Sequence, residues 1–103
     1  MKKIVVTGSE GLLGSEISKF LEKSHKVYRL DLKLGHDLTD QRFVKNWFKK
    51  NHSDYLINCF AINDHISKNK KKTNLFNFSL ETFAQYMDTN VITLFSVCRE
   101  FAR

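Results

Sequence analysis

Three of the four glycines in this chain, Gly8, Gly11 and Gly14, stand at even spacing in the segment TGSEGLLG. They follow a short β-branched run, KIVVT, which predicts a buried strand, and they precede a segment with helical spacing of apolar residues. In such a strand–turn–helix, the first glycine allows a tight turn, the second lets a pyrophosphate approach the backbone, and the third lets helix and strand pack closely. The helix N-terminus adds unpaired N–H groups that attract an anion. The residues therefore predict a phosphate-binding turn, with a ligand-free packing turn as the simpler alternative.

An acidic residue, Asp31, ends a second predicted strand, HKVYRLDL. A carboxylate at this position accepts hydrogen bonds from the hydroxyls of an adenosine ribose, and it repels a 2′-phosphate. Together with the glycines, Asp31 therefore predicts a dinucleotide site, and we expect the cofactor to be NAD rather than NADP. Without the glycines, Asp31 would be interpreted as an ordinary exposed acid at a strand end.

Strand and helix patterns alternate along the chain and would position these residues. After the helix that follows the glycines and the second strand come a short extended piece (HDL), a helix N-capped by Thr39 or Asp40, and a third long strand, DYLINCFA. A long final helix begins near Leu80, with Ser79 as its N-cap. The apolar stripe of this helix comprises Leu80, Phe83, Met87, Val91, Leu94, Phe95, Cys98 and Phe101.

The alternation predicts an α/β fold of the Rossmann type, a doubly wound parallel sheet with helices on both faces. The 103 residues suffice for one modest core, so we expect a single partial domain over residues 1–103, the truncated N-terminal half of a Rossmann domain. Right-handed crossovers would bring the carboxyl ends of the strands close to the glycine turn. A half-sheet would also leave an apolar edge and the stripe of the last helix uncovered.

The composition predicts a globular chain that does not cross a membrane. Apolar residues make up 42% of the sequence and aromatic residues 13%, and there is no apolar run long enough to span a bilayer. The apolar run after the first lysines is too short for the core of a signal peptide, so we expect a cytoplasmic protein. Cys59 and Cys98 are predicted to be free thiols, and the spacing of the histidines predicts no metal site.

The net charge of +6 raises the question of a nucleic-acid partner. The basic residues are dispersed except in SKNKKKTN, which contains Lys68, Lys70, Lys71 and Lys72. Such a run is more typical of a solvated loop than of a surface that follows a phosphate backbone. We therefore expect no nucleic acid among the partners of this chain.

Four segments resemble the short-chain dehydrogenase/reductase family, in the order in which that family has them: TGSEGLLG, HDLTD, INCFA and MDTNV. The resemblance implies an NAD-dependent oxidoreductase in which the glycine turn holds the cofactor and the third segment lies along its ribose. It also implies that Asp37 and the Leu38 backbone contact the adenine. The implied cofactor-binding residues are Gly8, Ser9, Glu10, Gly11, Leu12, Leu13, Gly14, Asp31, Asp37, Leu38, Asn58, Phe60 and Ala61.

The same resemblance implies a catalytic role for Asn90, as the support of a proton relay. On a helical projection Asn90 falls at the rim of the apolar stripe, where a polar amide needs a hydrogen-bond partner. An asparagine that is satisfied at a helix interface is the alternative.

The chain also departs from the family pattern. The link between Asp31 and Asp37 leaves no room for a helix, as in the dTDP-4-dehydrorhamnose reductase group, whereas the last helix is similar to that of single-domain reductases. Phe60 stands where the family has a small residue, so we expect it to narrow the cofactor channel. None of the tyrosines is followed four residues later by a lysine, as the catalytic motif of the family requires.

The sequence thus predicts the NAD(H)-binding portion of an oxidoreductase that transfers hydride between the nicotinamide and an alcohol or ketone, including sugar-type substrates. Because the catalytic tyrosine and lysine are missing, we expect this chain alone to be inactive. A fragment of a nucleotide-sugar epimerase or reductase is one alternative, and a stand-alone NAD-binding or interaction module is another. In the family the long helix often packs against a partner subunit, so the resemblance implies a homo-oligomer.

Overall fold

A parallel β-sheet forms the centre of the computed structural model, which describes residues 1–61, 76 and 78–103. Among these residues the strands are β1 (Lys3–Thr7), β2 (Lys26–Leu30) and β3 (Tyr55–Asn58), in the order β2-β1-β3. Ile4 of β1 lies opposite Val27 on one side and Tyr55 on the other. The central strand is buried from its second residue onward, as its β-branched sequence predicts.

Helices cover both faces of this sheet. They are α1 (Leu12–Glu22), α2 (Gln41–Lys50), α3 (Leu80–Met87) and α4 (Thr93–Ala102). Arg29 of β2 donates to Glu22 of α1, whereas its neighbour Tyr28 packs edge-on against Trp47 of α2, with ring centroids 5.4 Å apart. Because successive strand residues point to opposite faces, α1 and α2 lie on opposite faces of the sheet. The predicted fold class, the N-terminal half of a Rossmann-like α/β domain, is confirmed.

The core lies on the face that α2 and α4 cover. Trp47 and Phe48 of α2 pack edge to face, with ring centroids 5.0 Å apart, and Phe48 in turn meets Phe101 of α4 at 6.2 Å. The fully packed aliphatic centre consists of Val5, Leu30, Leu38, Val44 and Val97. Leu30 and Leu38 flank the loop that follows β2, so the core holds both ends of that loop in place.

Two predicted helix starts are confirmed by their capping hydrogen bonds. Oδ1 of Asp40 accepts the N–H groups of Arg42 and Phe43 at 3.0 and 3.2 Å. Oγ of Ser79 accepts the N–H of Thr82 at 3.0 Å. Each cap satisfies backbone donors that the first turn of a helix leaves without a partner.

The connection from β2 to α2 differs from the prediction. β2 ends at Leu30, one residue before its predicted end at Asp31. In the link to Asp37, where no helix was expected, Leu32–Leu34 form a single 3₁₀ turn that ends at Gly35, whose φ is +87°. Asp31 caps this turn because its carboxylate accepts the N–H of Lys33. The turn satisfies backbone groups locally, within a link too short for an α-helix.

The last helix is continuous but not uniform. Its two α-helical parts are joined by a π-helical segment, Asp88–Ile92, which we call the π segment. The predicted apolar stripe is largely exposed: the side chain of Phe83 is 54% exposed and that of Phe95 is 64% exposed. The face of α4 that packs inward is formed by Thr93, Ser96, Val97 and Glu100. The prediction that the stripe stays uncovered is therefore confirmed.

Other sequence predictions concern thiols, metals, membranes and the lysine run. Cys59 and Cys98 are free thiols, as predicted. Among the described residues, no three His, Cys, Asp or Glu side chains lie together as metal ligands would. None of the helices in the described ranges has both the length and the apolar character needed to cross a bilayer. The predictions for the lysine run (Lys68, Lys70, Lys71 and Lys72) and for the irregular segment around it concern residues that lie outside the described part.

Arg29 connects β2 to two acidic side chains. Its NH1 donates to Oε2 of Glu10 in the glycine turn at 3.0 Å, and its NH2 donates to Oε1 of Glu22 in α1 at 2.6 Å. The hydrogen bond from Arg29 holds the pKa of Glu22 below its ordinary value of 4.5.

We expect this lowered pKa to make the free energy of unfolding pH-dependent in acid. The contribution of Glu22 is complete above its unfolded pKa and is lost as the pH falls through the lower, folded pKa. Solvent screens a pair this exposed, so the contribution is at most about 1 kcal/mol. Urea denaturation from about pH 3 to about pH 7 should show a weaker loss of stability in acid for Glu22→Gln than for the wild type. Glu16→Gln is the matched control, because the contact of Glu16 with Lys19 is longer, at 3.7 Å, and should keep the wild-type dependence.

Candidate functional site

The glycine turn joins β1 to α1 through close backbone packing. Gly8 has a φ of +67°, and a Cβ there would lie 2.6 Å from the carbonyl carbon of Cys59. A Cβ on Gly14 would overlap the carbonyl oxygen of Gly8 and lie 2.8 Å from its carbonyl carbon. Gly8 and Gly14 are therefore required by the packing of the turn itself, against β3 and against α1.

Gly11 has a different environment. The nearest atom to a Cβ placed there would be the carbonyl oxygen of Gly8, at 3.4 Å, which is close to an ordinary contact. Gly11 precedes the first residue of α1, and no side chain caps the helix at this position. Its open side faces a cavity, so the absent side chain leaves space for a ligand beside the helix N-terminus.

Ser9 is fully buried within the same turn. Among the described residues, its Oγ has no hydrogen-bond partner. Ser18, Ser53 and Ser96 share this property within the described ranges, so the buried hydroxyl of Ser9 does not by itself identify a ligand site.

Asp31 holds the glycine turn and the loop after β2 together. Its Oδ2 accepts the N–H of Glu10 at 2.9 Å, and its Oδ1 accepts the N–H of Lys33 at 2.9 Å. Its own N–H donates to Nδ1 of His36 at 3.2 Å. The carboxylate is thus positioned by backbone donors on two sides. An ordinary exposed acid at a strand end would not be held in this way.

A cavity of about 270 Å³ opens between the glycine turn, the loop after β2, the end of β3 and the last helix. Its walls are mostly apolar, with the carboxylates of Asp31 and Asp37 on one side. The described residues that line it are Gly8, Gly11, Asp31, Leu32, His36, Asp37, Leu38, Thr39, Cys59, Phe60, Ala61, Thr89 and Thr93. Parallel strands place their carboxyl ends at this edge of the sheet, where α/β proteins bind ligands.

The structure brings half of the predicted site residues to this cavity. Those that line it are Gly8, Gly11, Asp31, Asp37, Leu38, Phe60 and Ala61. Ser9 and Gly14 lie inside the turn, and Glu10 pairs with Arg29. Leu12 and Leu13 face solvent, with 93% and 65% of their surface exposed. Whether these residues bind a cofactor stays a prediction.

Asn58 lies at the end of β3, next to the cavity wall. Its Oδ1 accepts the hydroxyl of Thr7 at 2.7 Å, and its Nδ2 donates to Sγ of Cys98 at 3.6 Å. These bonds connect β1, β3 and α4 side by side. Burial raises the pKa of the neighbouring Cys59 thiol, which disfavours the thiolate.

Asn90 lies in the π segment. Its neighbours Thr89 and Thr93 line the cavity, and sequence reasoning missed both of them. A π segment inserts one extra residue into a turn and changes which side chains face inward, and such segments are frequent at functional sites. The uniform helical projection used for the sequence could not place these residues correctly.

His36, Leu32 and Thr39 were also missed. They belong to the loop that follows β2, and the motif HDLTD drew attention only to Asp37 and Leu38. The sequence signal for His36 was its position within that motif.

A glycine turn between a parallel strand and a helix, with an acid held at the end of the next strand beside one cavity, defines a Rossmann-like nucleotide-binding fold. The chain belongs to the family described as the RmlD substrate binding domain, whose model matches residues 1–86. No curated protein sequence matches the chain significantly.

Several solved structures similar to this chain are dehydrogenases and reductases, and together with the family match they confirm the resemblance noted from the sequence. A small-chain dehydrogenase in complex with NADPH is 20% identical, with a TM-score of 0.81 over 99% of this chain and 45% of its own. A dTDP-4-dehydrorhamnose reductase from Clostridium acetobutylicum is 27% identical, with a TM-score of 0.71 over 95% of this chain and 31% of its own. The dTDP-4-dehydrorhamnose reductase from Bacillus anthracis, in complex with NADP, is 19% identical, with a TM-score of 0.75 over 97% and 32%. The chain spans less than half the length of each of these proteins.

Proposed function

We propose that this chain binds a nicotinamide dinucleotide and is the cofactor-binding portion of an oxidoreductase. The observation that carries the proposal is the cavity in which the open side of Gly11, the N-terminus of α1 and the fixed carboxylate of Asp31 meet. A pyrophosphate binds where the backbone is open, as at Gly11, and where a helix N-terminus offers N–H groups, as in α1. An adenosine ribose binds to a carboxylate such as that of Asp31. One continuous cavity offers all three to a single ligand.

The residues fit the parts of such a cofactor. The glycine turn would hold the pyrophosphate, and Asp31 would accept hydrogen bonds from the adenosine ribose. Asp37 and the backbone of Leu38 would lie at the adenine, and Asn58, Phe60 and Ala61 would follow the nicotinamide ribose. Phe60 lines the cavity and packs against the core, which supports the expectation that it narrows the cofactor channel.

For the choice of dinucleotide we propose NAD over NADP. A 2′-phosphate on the adenosine ribose would come close to the anionic carboxylate of Asp31, whose two oxygens are already held by backbone donors and cannot turn away. The nearest basic side chain of β2, Arg29, is occupied by Glu10 and Glu22. The NADPH and NADP in similar solved structures favour the opposite choice, so the ratio of the two affinities is the decisive quantity.

For the whole protein we propose hydride transfer between the nicotinamide and an alcohol or ketone. The cofactor supplies the hydride chemistry, and this chain would bind and orient the cofactor without directing the proton. None of its tyrosines precedes a lysine at the required spacing, so we expect no turnover from the chain alone. A ketone on a nucleotide-linked sugar is the preferred substrate class, because the family match and the two dTDP-4-dehydrorhamnose reductases favour it.

Calorimetric titration of the 103-residue chain with NAD, NADP and ADP-ribose tests the proposal. We expect saturable binding of NAD and ADP-ribose, and weaker binding of NADP. In Gly11→Val, a branched side chain would enter the cavity, and binding should weaken by about tenfold or more. Equal affinities of wild type and Gly11→Val would place the ligand elsewhere, and no binding of any of the three would contradict the proposed function. NAD binding by a chain that melts cooperatively on its own would favour the stand-alone module over a fragment.

We also propose that the protein forms a homo-oligomer through the exposed stripe of the last helix. Phe83, Met87, Val91 and Phe95 are all large and apolar and are more than one third exposed, along one side of α3, the π segment and α4. Contiguous exposed apolar surface of this kind is typical of protein–protein interfaces.

Replacing Phe95 with glutamate should therefore reduce the mass of the particle to that of one chain. A buried carboxylate at an apolar interface has no compensating partner, so association becomes unfavourable. Size-exclusion chromatography with light scattering measures the mass directly. Phe20→Glu is the matched control, because Phe20 is 70% exposed but lies on α1, and this variant should keep the wild-type mass. An oligomer that persists in Phe95→Glu would exclude this surface as the interface.

A further inference from the structure

His36 is a cavity residue with no role in the site described so far. It lies in the loop between Asp31 and Asp37 and lines the cavity with Leu32 and Leu38. Its side chain is half-buried, so part of the ring is accessible from the cavity.

The imidazole of His36 is fixed in orientation. Its Nδ1 accepts the backbone N–H of Asp31 at 3.2 Å, and the backbone N–H of His36 donates to the carbonyl oxygen of Asp31 at 3.1 Å. The ring stacks on Phe43, with the two planes 14° apart and the centroids at 5.8 Å. Phe43 in turn packs against the core from the first turn of α2. A flat group held in this way loses little freedom when a ligand binds against it.

The environment of the ring favours a flat, mainly apolar ligand. Phe43 stacks on one face of the imidazole with an offset, so a ligand could stack only on the opposite face. Leu32 and Leu38 add apolar surface to the same cavity. The nearby carboxylate of Asp37 is engaged in its own turn, because its Oδ1 accepts both the N–H and the hydroxyl of Thr39.

We propose that His36 is the stacking platform for the adenine of the dinucleotide, so that Phe43, His36 and the base form one continuous stack. This inference rests on the proposed function, and it assigns the adenine end of the cavity to the loop after β2. Stacking between a base and an aromatic side chain contributes strongly to binding, whichever base is stacked.

Titration with ADP-ribose separates stacking from other roles of His36. In His36→Ala, and equally in His36→Gln, the affinity should fall by about tenfold, because both lose the ring. His36→Gln still offers an oxygen to the N–H of Asp31. A lower affinity of this variant for ADP-ribose therefore cannot be attributed to a disturbed loop after β2. His36→Phe restores a ring and should bind within about threefold of the wild type. His52→Ala is the matched control, an exposed histidine outside the cavity, and should bind as the wild type does.

A spectroscopic signature complements the affinities. The fluorescence of 1,N6-etheno-ADP-ribose is quenched when its base stacks, so bound probe should be quenched in the wild type and in His36→Phe, and bright in His36→Gln at saturation. Wild-type affinity and quenching in His36→Gln would overturn the stacking role while leaving the proposed function intact. A wild-type chain that binds no ADP-ribose at all would overturn both.

Discussion

Replacing Gly14 with alanine should lower the free energy of unfolding by about 3 kcal/mol or more, although alanine is the better helix former. Gly14 lies in the first turn of α1, where intrinsic propensity alone would favour alanine by about 1 kcal/mol. The added Cβ would instead overlap the carbonyl oxygen of Gly8, a backbone atom that cannot rotate away. Relief of this overlap requires α1 to move away from β1, which opens the packing of Ser18 and of the sheet beneath it.

Two other glycines provide matched controls for this prediction. Gly11→Ala should change the unfolding free energy by less than about 1 kcal/mol, because its new Cβ meets only one atom, at 3.4 Å. Gly35→Ala should cost about 1 kcal/mol, because its φ of +87° is strained for alanine while the surrounding space is open. Urea denaturation of the three variants measures the order of their unfolding free energies directly. A Gly14→Ala chain as stable as Gly11→Ala would mean that the turn and α1 do not pack as described.

The sequence predicted well those features that depend on neighbouring residues. The strand at KIVVT, the turn at Gly8 to Gly14 and the caps at Asp40 and Ser79 follow from local sterics and hydrogen bonding, and the structure has all of them. The parallel order of the strands follows from the alternation of elements and from the handedness of crossovers. For the same reason Asp31 was correctly placed at the cavity, beside the glycines.

Features that depend on distant contacts were not predictable. The inward face of α4 contains Thr93 and Ser96, whose small side chains let the helix approach α2 and the sheet. It also contains Glu100, whose carboxylate pairs with Arg99 and Arg103. A hydrophobic projection places all three of these polar residues on the outward face. The π segment changes the phase of the helix in the middle and brings Thr89 to the cavity. The 3₁₀ turn after Asp31, which brings His36 back onto Phe43, depends on a hydrogen bond and a ring contact that no periodicity encodes.

Asp31→Asn should weaken NAD binding by about tenfold or more and lower the free energy of unfolding by about 2 kcal/mol. The carboxylate accepts two backbone N–H groups on its two oxygens, from Glu10 and from Lys33. An asparagine has one acceptor oxygen, so its amide nitrogen would face one of these donors, N–H against N–H. The glycine turn or the loop after β2 then loses its fixed position, and the ribose hydroxyls lose an anionic acceptor. Calorimetry with NAD and urea denaturation measure the two losses separately.

Asp37→Asn is the matched control for Asp31→Asn. Both acids line the same cavity, but Asp37 uses one oxygen, within its own turn at Thr39, and asparagine can replace that oxygen. Its unfolding free energy should change by less than about 0.5 kcal/mol. The loss of negative charge at Asp31 should also reduce the preference against NADP, because the repulsion of a 2′-phosphate disappears. If Asp31→Asn were less stable but bound NAD and NADP as the wild type does, Asp31 would support the fold alone, and the dinucleotide preference would have to come from another residue of the cavity.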